Sequence, residues 1–155
     1  GIYFWEANPI RGLEFAREAM TRRGSRINDP AVIGAVVDLG ACLDLTTAFG
    51  IATVKRAYDS LRRSHEEAGT DMPTNSKDRL RRSLDCAVIE RVHTIFSQTY
   101  APSFDSVRGV FTEGRPAYDG AAFDEKTHVQ IAVRNPDCIK GVFRVPDDHL
   151  QLPQF

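Results

Sequence analysis

The chain reads as an α+β fold, and three observations carry that reading. Short runs dense in β-forming residues stand at 1–5 (GIYFW), 31–40 (AVIGAVVDLG), 106–111 (SVRGVF), 127–135 (THVQIAVRN) and 138–145 (CIKGVFRV). Between the second and third of these, residues 52–69 and 77–99 repeat their apolar positions at helical spacing. The order strand, helix, strand, two helices, then strands is that of an α+β domain. At 155 residues the chain is long enough to bury one core, so residues 1–155 are read as a single domain.

Each element has a local reason. Residues 1–5 fit a short buried strand. Asn8-Pro9 marks a helix start, with Asn8 as N-cap and Pro9 at the first helical position. Ile10, Leu13, Met20 and either Phe15 or Ala16 give that helix an apolar face that ends near Gly24. Pro30 opens AVIGAVVDLG, whose nearly continuous apolar run predicts a strand covered on both faces; CLDL continues it after a Gly-Ala bend. Val54, Ala57, Tyr58, Leu61 and His65 line the first inserted helix, and Leu80, Leu84, Ala87, Val88, Val92, Ile95 and Phe96 line the second. The polar stretch GTDMPTNSKD separates them. SVRGVF, a Gly/Pro-rich loop (TEGRPAYDG) and THVQIAVRN follow. The Asn135-Pro136-Asp137 turn then predicts a hairpin between that strand and CIKGVFRV, before a loosely held tail, PDDHLQLPQF.

Composition narrows the function. With a net charge of −1, no global field draws the protein to nucleic acid or to a membrane. No apolar run reaches ~18 residues, so no membrane span is expected. Cys42, Cys86 and Cys138 are odd in number, widely spaced and set among apolar neighbours. They read as reduced core thiols of a cytoplasmic protein, not as a disulfide framework or a zinc site. No His/Cys cluster has metal-ligand spacing, and neither a Gly-rich phosphate loop nor a Ser-His-Asp ordering is present.

One polar residue is out of phase. In FDEKTHVQIAV, positions 123 to 133 at every second residue share a strand face; Val129, Ile131 and Val133 make it the buried one, and Glu125 stands at its leading end. A carboxylate aimed inward at a strand end lines a cleft, or else is paired with an Arg or solvated. Lys126, His128 and Gln130 occupy the opposite face, as a solvated surface or a substrate contact. Arg62, Arg63, Lys77, Arg79, Arg81 and Arg82 form a basic surface on the insert, offset by Glu66, Glu67, Asp78 and Asp85. It reads as a solvated face, or as a phosphate-binding patch of a nucleic-acid-binding module.

The order GIYF, IGAVVDLG, SVRG, FDE, CIKGVF resembles the ADP-ribosyltransferase fold, in its poly(ADP-ribose) polymerase-like branch. The chain also resembles a bacterial family sharing the GIYFWE opening and the EKTHxQIxVRNP ending. The resemblance covers most of the chain and leaves residues 46–103 as a two-helix insert. It implies a mixed or antiparallel sheet core and an activity that transfers ADP-ribose from NAD, as substrate, to a macromolecular acceptor, protein or nucleic acid, in the manner of a bacterial toxin or defence protein. It assigns Tyr3, with Gly1 and Phe15, to the nicotinamide end of NAD, since an aromatic face holds a flat cationic ring. Glu125 takes the catalytic role, with Gln130 in reserve, and Arg115 and Tyr118 the acceptor loop. The family's His-Gly-Ser/Thr motif precedes Gly-x-Tyr-Phe; here nothing precedes Gly1, and none of His65, His93, His128 or His149 is followed by Gly. The expectation is therefore an N-terminal portion lying upstream, or an antitoxin or partner that completes the cleft. A catalytically silent nucleotide- or partner-binding module is the alternative.

Overall fold

The computed structural model describes residues 1–77, 80–99 and 102–152. Strand β1 (Ile2–Trp5) leads into helix α1 (Pro9–Met20), followed by β2 (Ile33–Val37), β3 (Cys42–Asp44), α2 (Ala48–Ala68), α3 (Ser83–Gln98), β4 (Ser106–Phe111), β5 (His128–Val133) and β6 (Ile139–Arg144). The architecture is α+β. Four strands form a sheet in the order β1-β5-β4-β3, antiparallel except for the parallel β3–β4 pair; β2 and β6 form a separate antiparallel ribbon.

Local chemistry starts the helices as the sequence predicts. The Asn8 side chain accepts from the Arg11 N–H, with Pro9 in the first turn. The Thr47 hydroxyl accepts from the Gly50 N–H, so α2 begins at Ala48, four residues earlier than periodicity suggests. It ends on Gly69 in the left-handed region, φ 63°, where a residue without Cβ is unstrained. Helix α1 stops at Met20, short of Gly24. Helix α3 starts only at Ser83, where the Asn75 carbonyl oxygen accepts from the Leu84 N–H and the Asn75 amide donates to Asp85. Of the predicted loose tail, Asp147–Leu150 forms one 3₁₀ turn, and its last three residues lie outside the described residues.

Two clusters place the layers. On one face of the four-stranded sheet, Leu43, Val107 and Ala132 meet Ala57 and Leu61 of α2 and Leu84, Val88, Val92 and Ile95 of α3. The inserted helices therefore pack as a pair through most of the residues their periodicity singled out, but Tyr58 stays exposed and Leu80, 64% exposed, lies before α3. On the opposite face, Phe4, Ile131 and Val133 meet Val37, Leu39, Cys138 and Ile139. The Ser106 hydroxyl ties the layers together by donating to the Leu39 carbonyl at 2.6 Å.

Several expectations are corrected. CIKGVF does not form a hairpin with β5; it pairs with β2, Ala35 opposite Val142, after the Pro136–Cys138 turn carries it off the main sheet. AVIGAVV is not covered on both faces, for Ile33 and Val36 are 65% and 59% exposed in the ribbon. Cys86 lies exposed on α3, whereas Cys138 is buried and Cys42 half-buried; none forms a disulfide. No helix among the described residues is long and apolar enough to cross a membrane.

Gly50 is the tightest point in the insert. A Cβ there would collide with the backbone carbonyl of Asp44, where β3 hands over to α2. Backbone cannot swing away as a side chain can. Gly50→Ala is expected to cost about 3 kcal/mol, the upper end of overpacking, seen as a lowered urea midpoint at unchanged slope.

Candidate functional site

The sheet register decides which predicted site residues meet. Tyr3 stands opposite Ala132, and Trp5 opposite Gln130, so Tyr3, Trp5, Gln130 and Ala132 share the face that carries α2 and α3. Tyr3 and Gln130 are diagonal neighbours, a relation that sets Cβ atoms roughly 7–8 Å apart. The Tyr3 side is open, at 55% exposure. On the other flank of Gln130, β4 presents Gly109, with no side chain to fill the space; a Cβ there would only touch Leu45 and Phe111 at 3.4 and 3.6 Å. Phe15 does not close over Tyr3. It packs on Trp5, ring centroids 4.9 Å apart, with the Arg22 guanidinium 5.1 Å from its own centroid. Gly1 continues β1 so closely that a Cβ would sit 3.1 Å from the Val133 carbonyl oxygen.

Glu125 lies elsewhere. Strand β5 begins at His128, and Asp124 to Thr127 form a turn in which the Thr127 N–H donates to the Asp124 carbonyl and the Asp124 N–H to the Thr127 hydroxyl. Glu125 is thus not the leading residue of a buried strand face. From His128 to Ala132 the strand alone spans about 13 Å at its usual rise, and the two best-formed pockets among the described residues are lined by neither Tyr3 nor Glu125. The Glu125 carboxylate accepts from Arg115 at 3.1 Å. That hydrogen bond, opposed by a little desolvation and aided by the charge of Arg115, holds Glu125 below the usual carboxylate range. The pairing with Arg is one of the two plain readings its sequence position allowed.

Arg115 and Tyr118 lie on a finger-like loop that prolongs the β4–β5 hairpin. Its rungs are Lys126 N–H to Glu113 O, Glu125 N–H to Arg115 O and Ala117 N–H to Phe123 O. Tyr118 and Phe123 are exposed at its end. Its base is clamped to α1: Arg11, only 4% exposed, pairs with Glu113 at 2.9 Å and Glu18 at 3.2 Å, and Lys126 pairs with Glu18 at 2.9 Å.

His128 is not a surface residue. It is buried, stacked on Phe111 with centroids 5.8 Å apart, and its Nδ1 lies 2.7 Å from the Lys126 carbonyl, to which it donates. Arg82, from the basic surface, lies 4.3 Å over the same Phe111 ring. Arg62 pairs with Glu66, and Arg82 also approaches Asp85; Arg79 and Asp78 lie outside the described residues.

A further polar group sits beyond Ala132 and had no signal in the sequence. Arg134 Nη1 donates to Ser103 Oγ at 3.1 Å, and Ser103 Oγ lies 2.9 Å from His93 Nδ1. His93 comes from α3, Ser103 from the segment before β4 and Arg134 from the end of β5, so no spacing could announce them. His93 is 5% exposed and lies edge-on to Phe104. Burial, then the charge of Arg134, pushes its pKa below the ordinary imidazole value, against a smaller pull from Glu90. Arg134 can only donate. The proton order therefore runs from Arg134 to Ser103 to the Nδ1 of neutral His93, whose buried Nε2 has no partner among the described residues.

The depressed His93 pKa makes stability depend on pH with a definite sign. As pH falls through ~6.5 the unfolded chain takes up the proton before the folded one, so stability present above that value is progressively lost below it. Asp44, Asp105 and Glu125, all held below the usual carboxylate range, titrate at lower pH. Between about pH 7.5 and pH 5.5 the urea midpoint should fall in the wild type and fall less in His93→Gln. Equal slopes would remove His93 as the cause.

No protein-family model matches the chain, and no curated protein or solved structure matches it either.

Proposed function

We propose that the chain is an NAD-dependent ADP-ribosyltransferase domain acting on a macromolecular acceptor, with its nucleotide held on the sheet face that carries Tyr3. One observation carries this reading. The register sets an exposed aromatic ring diagonal to an amide, Gln130, whose other flank is Gly109, a residue without a side chain. Stacking on Tyr3 would orient the nicotinamide ring. The Gln130 carbonyl oxygen, held by a strand between two others, is then placed to accept from a ribose hydroxyl and to face positive charge developing as nicotinamide departs. Between the two candidates for the catalytic position, this geometry favours Gln130. Glu125 is assigned instead, with Arg115, to holding the loop that bears Tyr118, where an acceptor would dock.

A second reading has its own support. An amide carries a dipole but no charge, so a site with Gln130 rather than a carboxylate beside Tyr3 suits a silent nucleotide-binding module as well as a transferase.

The two readings part in one experiment, which compares NAD binding with transfer of labelled ADP-ribose to an acceptor extract. Tyr3→Ala should weaken NAD binding, raising the Michaelis constant more than it lowers turnover. Gln130→Ala should keep binding and lose about 10²-fold in transfer, the usual effect of removing one preorganised group. Gln130→Glu, which adds the missing charge, should raise transfer. Glu125→Gln should change it by less than about threefold, because that carboxylate lies outside the reacting region. A large loss in Glu125→Gln with none in Gln130→Ala would return the catalytic role to Glu125. Nucleotide bound but no transfer by any form would establish the silent module, and no nucleotide bound would end both readings.

A further inference from the structure

Two polar groups stand on either side of Ala132, the partner of Tyr3. Gln130 lies two positions before it on β5, about 7 Å at the usual strand rise, and Arg134 lies just past the end of the strand. Arg134 reaches toward the α3 side of the sheet, since its Nη1 meets Ser103, which in turn meets His93 of α3. That is the side on which Tyr3 stands.

The state of Arg134 differs from that of Arg108 in the sheet and of buried Arg11 on α1. Arg108 is neutralised by Glu6 at 2.7 Å and Asp44 at 3.3 Å, and Arg11 by Glu113 and Glu18. Arg134 is exposed, and the one hydrogen bond that its side chain makes among the described residues goes to a neutral hydroxyl. Ser103 orients the guanidinium without cancelling its charge. Behind Ser103, His93 is kept neutral by burial, so it accepts the hydroxyl proton and leaves the Oγ lone pairs to Arg134. A guanidinium positioned by one N–H, with its remaining donors unspent, is suited to a phosphate.

We propose that Arg134, oriented by Ser103 and His93, is the phosphate-binding group of a nucleotide site whose aromatic platform is Tyr3. This rests on the nucleotide reading of the Tyr3 face and adds to it the group that recognises the anionic part of the ligand. The ligand class is a nucleoside diphosphate or dinucleotide: a flat ring for Tyr3, sugar hydroxyls for Gln130 and a phosphate for Arg134. Ser103 and His93 act as positioning residues, through Arg134.

The test measures ADP-ribose and NAD binding by calorimetry in low salt, for the wild type, Arg134→Ala, Arg134→Lys, Ser103→Ala and Tyr3→Ala. Arg144→Ala serves as the control, because Arg144 is also exposed but lies on the other sheet. Circular dichroism checks that each variant is folded. Loss of Arg134 should weaken ADP-ribose by about 10- to 100-fold, as expected for one charge-assisted hydrogen-bonding group. Lysine should restore part of that, and added salt should erode wild-type binding more than that of Arg134→Ala. Ser103→Ala should weaken binding less than Arg134→Ala, since the charge remains but loses its orientation. Arg144→Ala should leave binding unchanged. If Tyr3→Ala weakens ADP-ribose while Arg134→Ala binds it as the wild type does, the phosphate role is overturned and the nucleotide reading stands. If the wild type binds neither ADP-ribose nor NAD, both fall together.

Discussion

The candidate site is registered on β5, one of the two inner strands of the four-stranded sheet and the one that joins β1 to β4. It is antiparallel to β1 along Ile2–Trp5 and antiparallel to β4 along its whole length. Because side chains alternate with a period of two, that double pairing sends Ile131 and Val133 toward one core and Gln130 and Ala132 toward the other. A slip of one residue would exchange the two sets, bringing polar Gln130 into the apolar layer under the ribbon and turning Tyr3 away from it. The pairing is held at both ends. Glu6 N–H donates to Val129 O at one end, and at the other the Arg134 and Asn135 N–H groups both donate to Asp105 O. The positions of Tyr3 and Gln130 relative to one another follow from this register, and Arg134 is placed just past its end by the bonds to Asp105 O and Ser103 Oγ.

Charge does a second, separate task at the hairpin end of the sheet. Arg11 is buried to 4% exposure yet carries a full positive charge, so it needs carboxylates, and it takes Glu113 from the loop and Glu18 from its own helix. Removing one partner of such a pair is costly because the other stays buried and uncompensated. Lys126 completes the link by bonding Glu18. Helix α1 is thereby tied to both sides of the loop carrying Arg115 and Tyr118, and the loop projects as a braced finger. The inserted helices occupy the same sheet face as Tyr3, not a remote surface. Their apolar seam covers Leu43, Val107 and Ala132 and stops before Tyr3, and α3 supplies His93 to the far side of the candidate site.

Much of the fold could be read from the chain. Helix starts were legible because they are local chemistry: Asn8 with Pro9 specifies a cap and a first turn whatever surrounds them. The seam of the insert was legible because Leu61, Leu84, Val88, Val92 and Ile95 repeat at helical spacing, and burial follows from that spacing in an amphipathic helix. The presence of each strand came from its β-forming content, and Tyr3 and Gln130 both came forward as site residues from the resemblance.

What tertiary structure alone decided was partnership. Alternation says which residues of a strand share a face but not which strand lies beside it, so CIKGVF could be taken as the partner of its neighbour in sequence; the Pro136–Cys138 turn and the fit of Phe143 over Gly34 assign it to β2. Alternation also runs on past a strand's true end, and this placed Glu125 on a face it does not share, because the Asp124–Thr127 turn interrupts the pleat. His128 read as polar surface because a histidine's polarity is visible in sequence and its burial against Phe111 is not. Arg134, Ser103 and His93 come from three elements that only folding brings within hydrogen-bond distance. The sequence by itself determined the elements and their apolar faces, which depend on neighbours a few residues away. The pairing order and the polar constellation depend on contacts between residues far apart in the chain, and those were settled only when the sheet closed around β5.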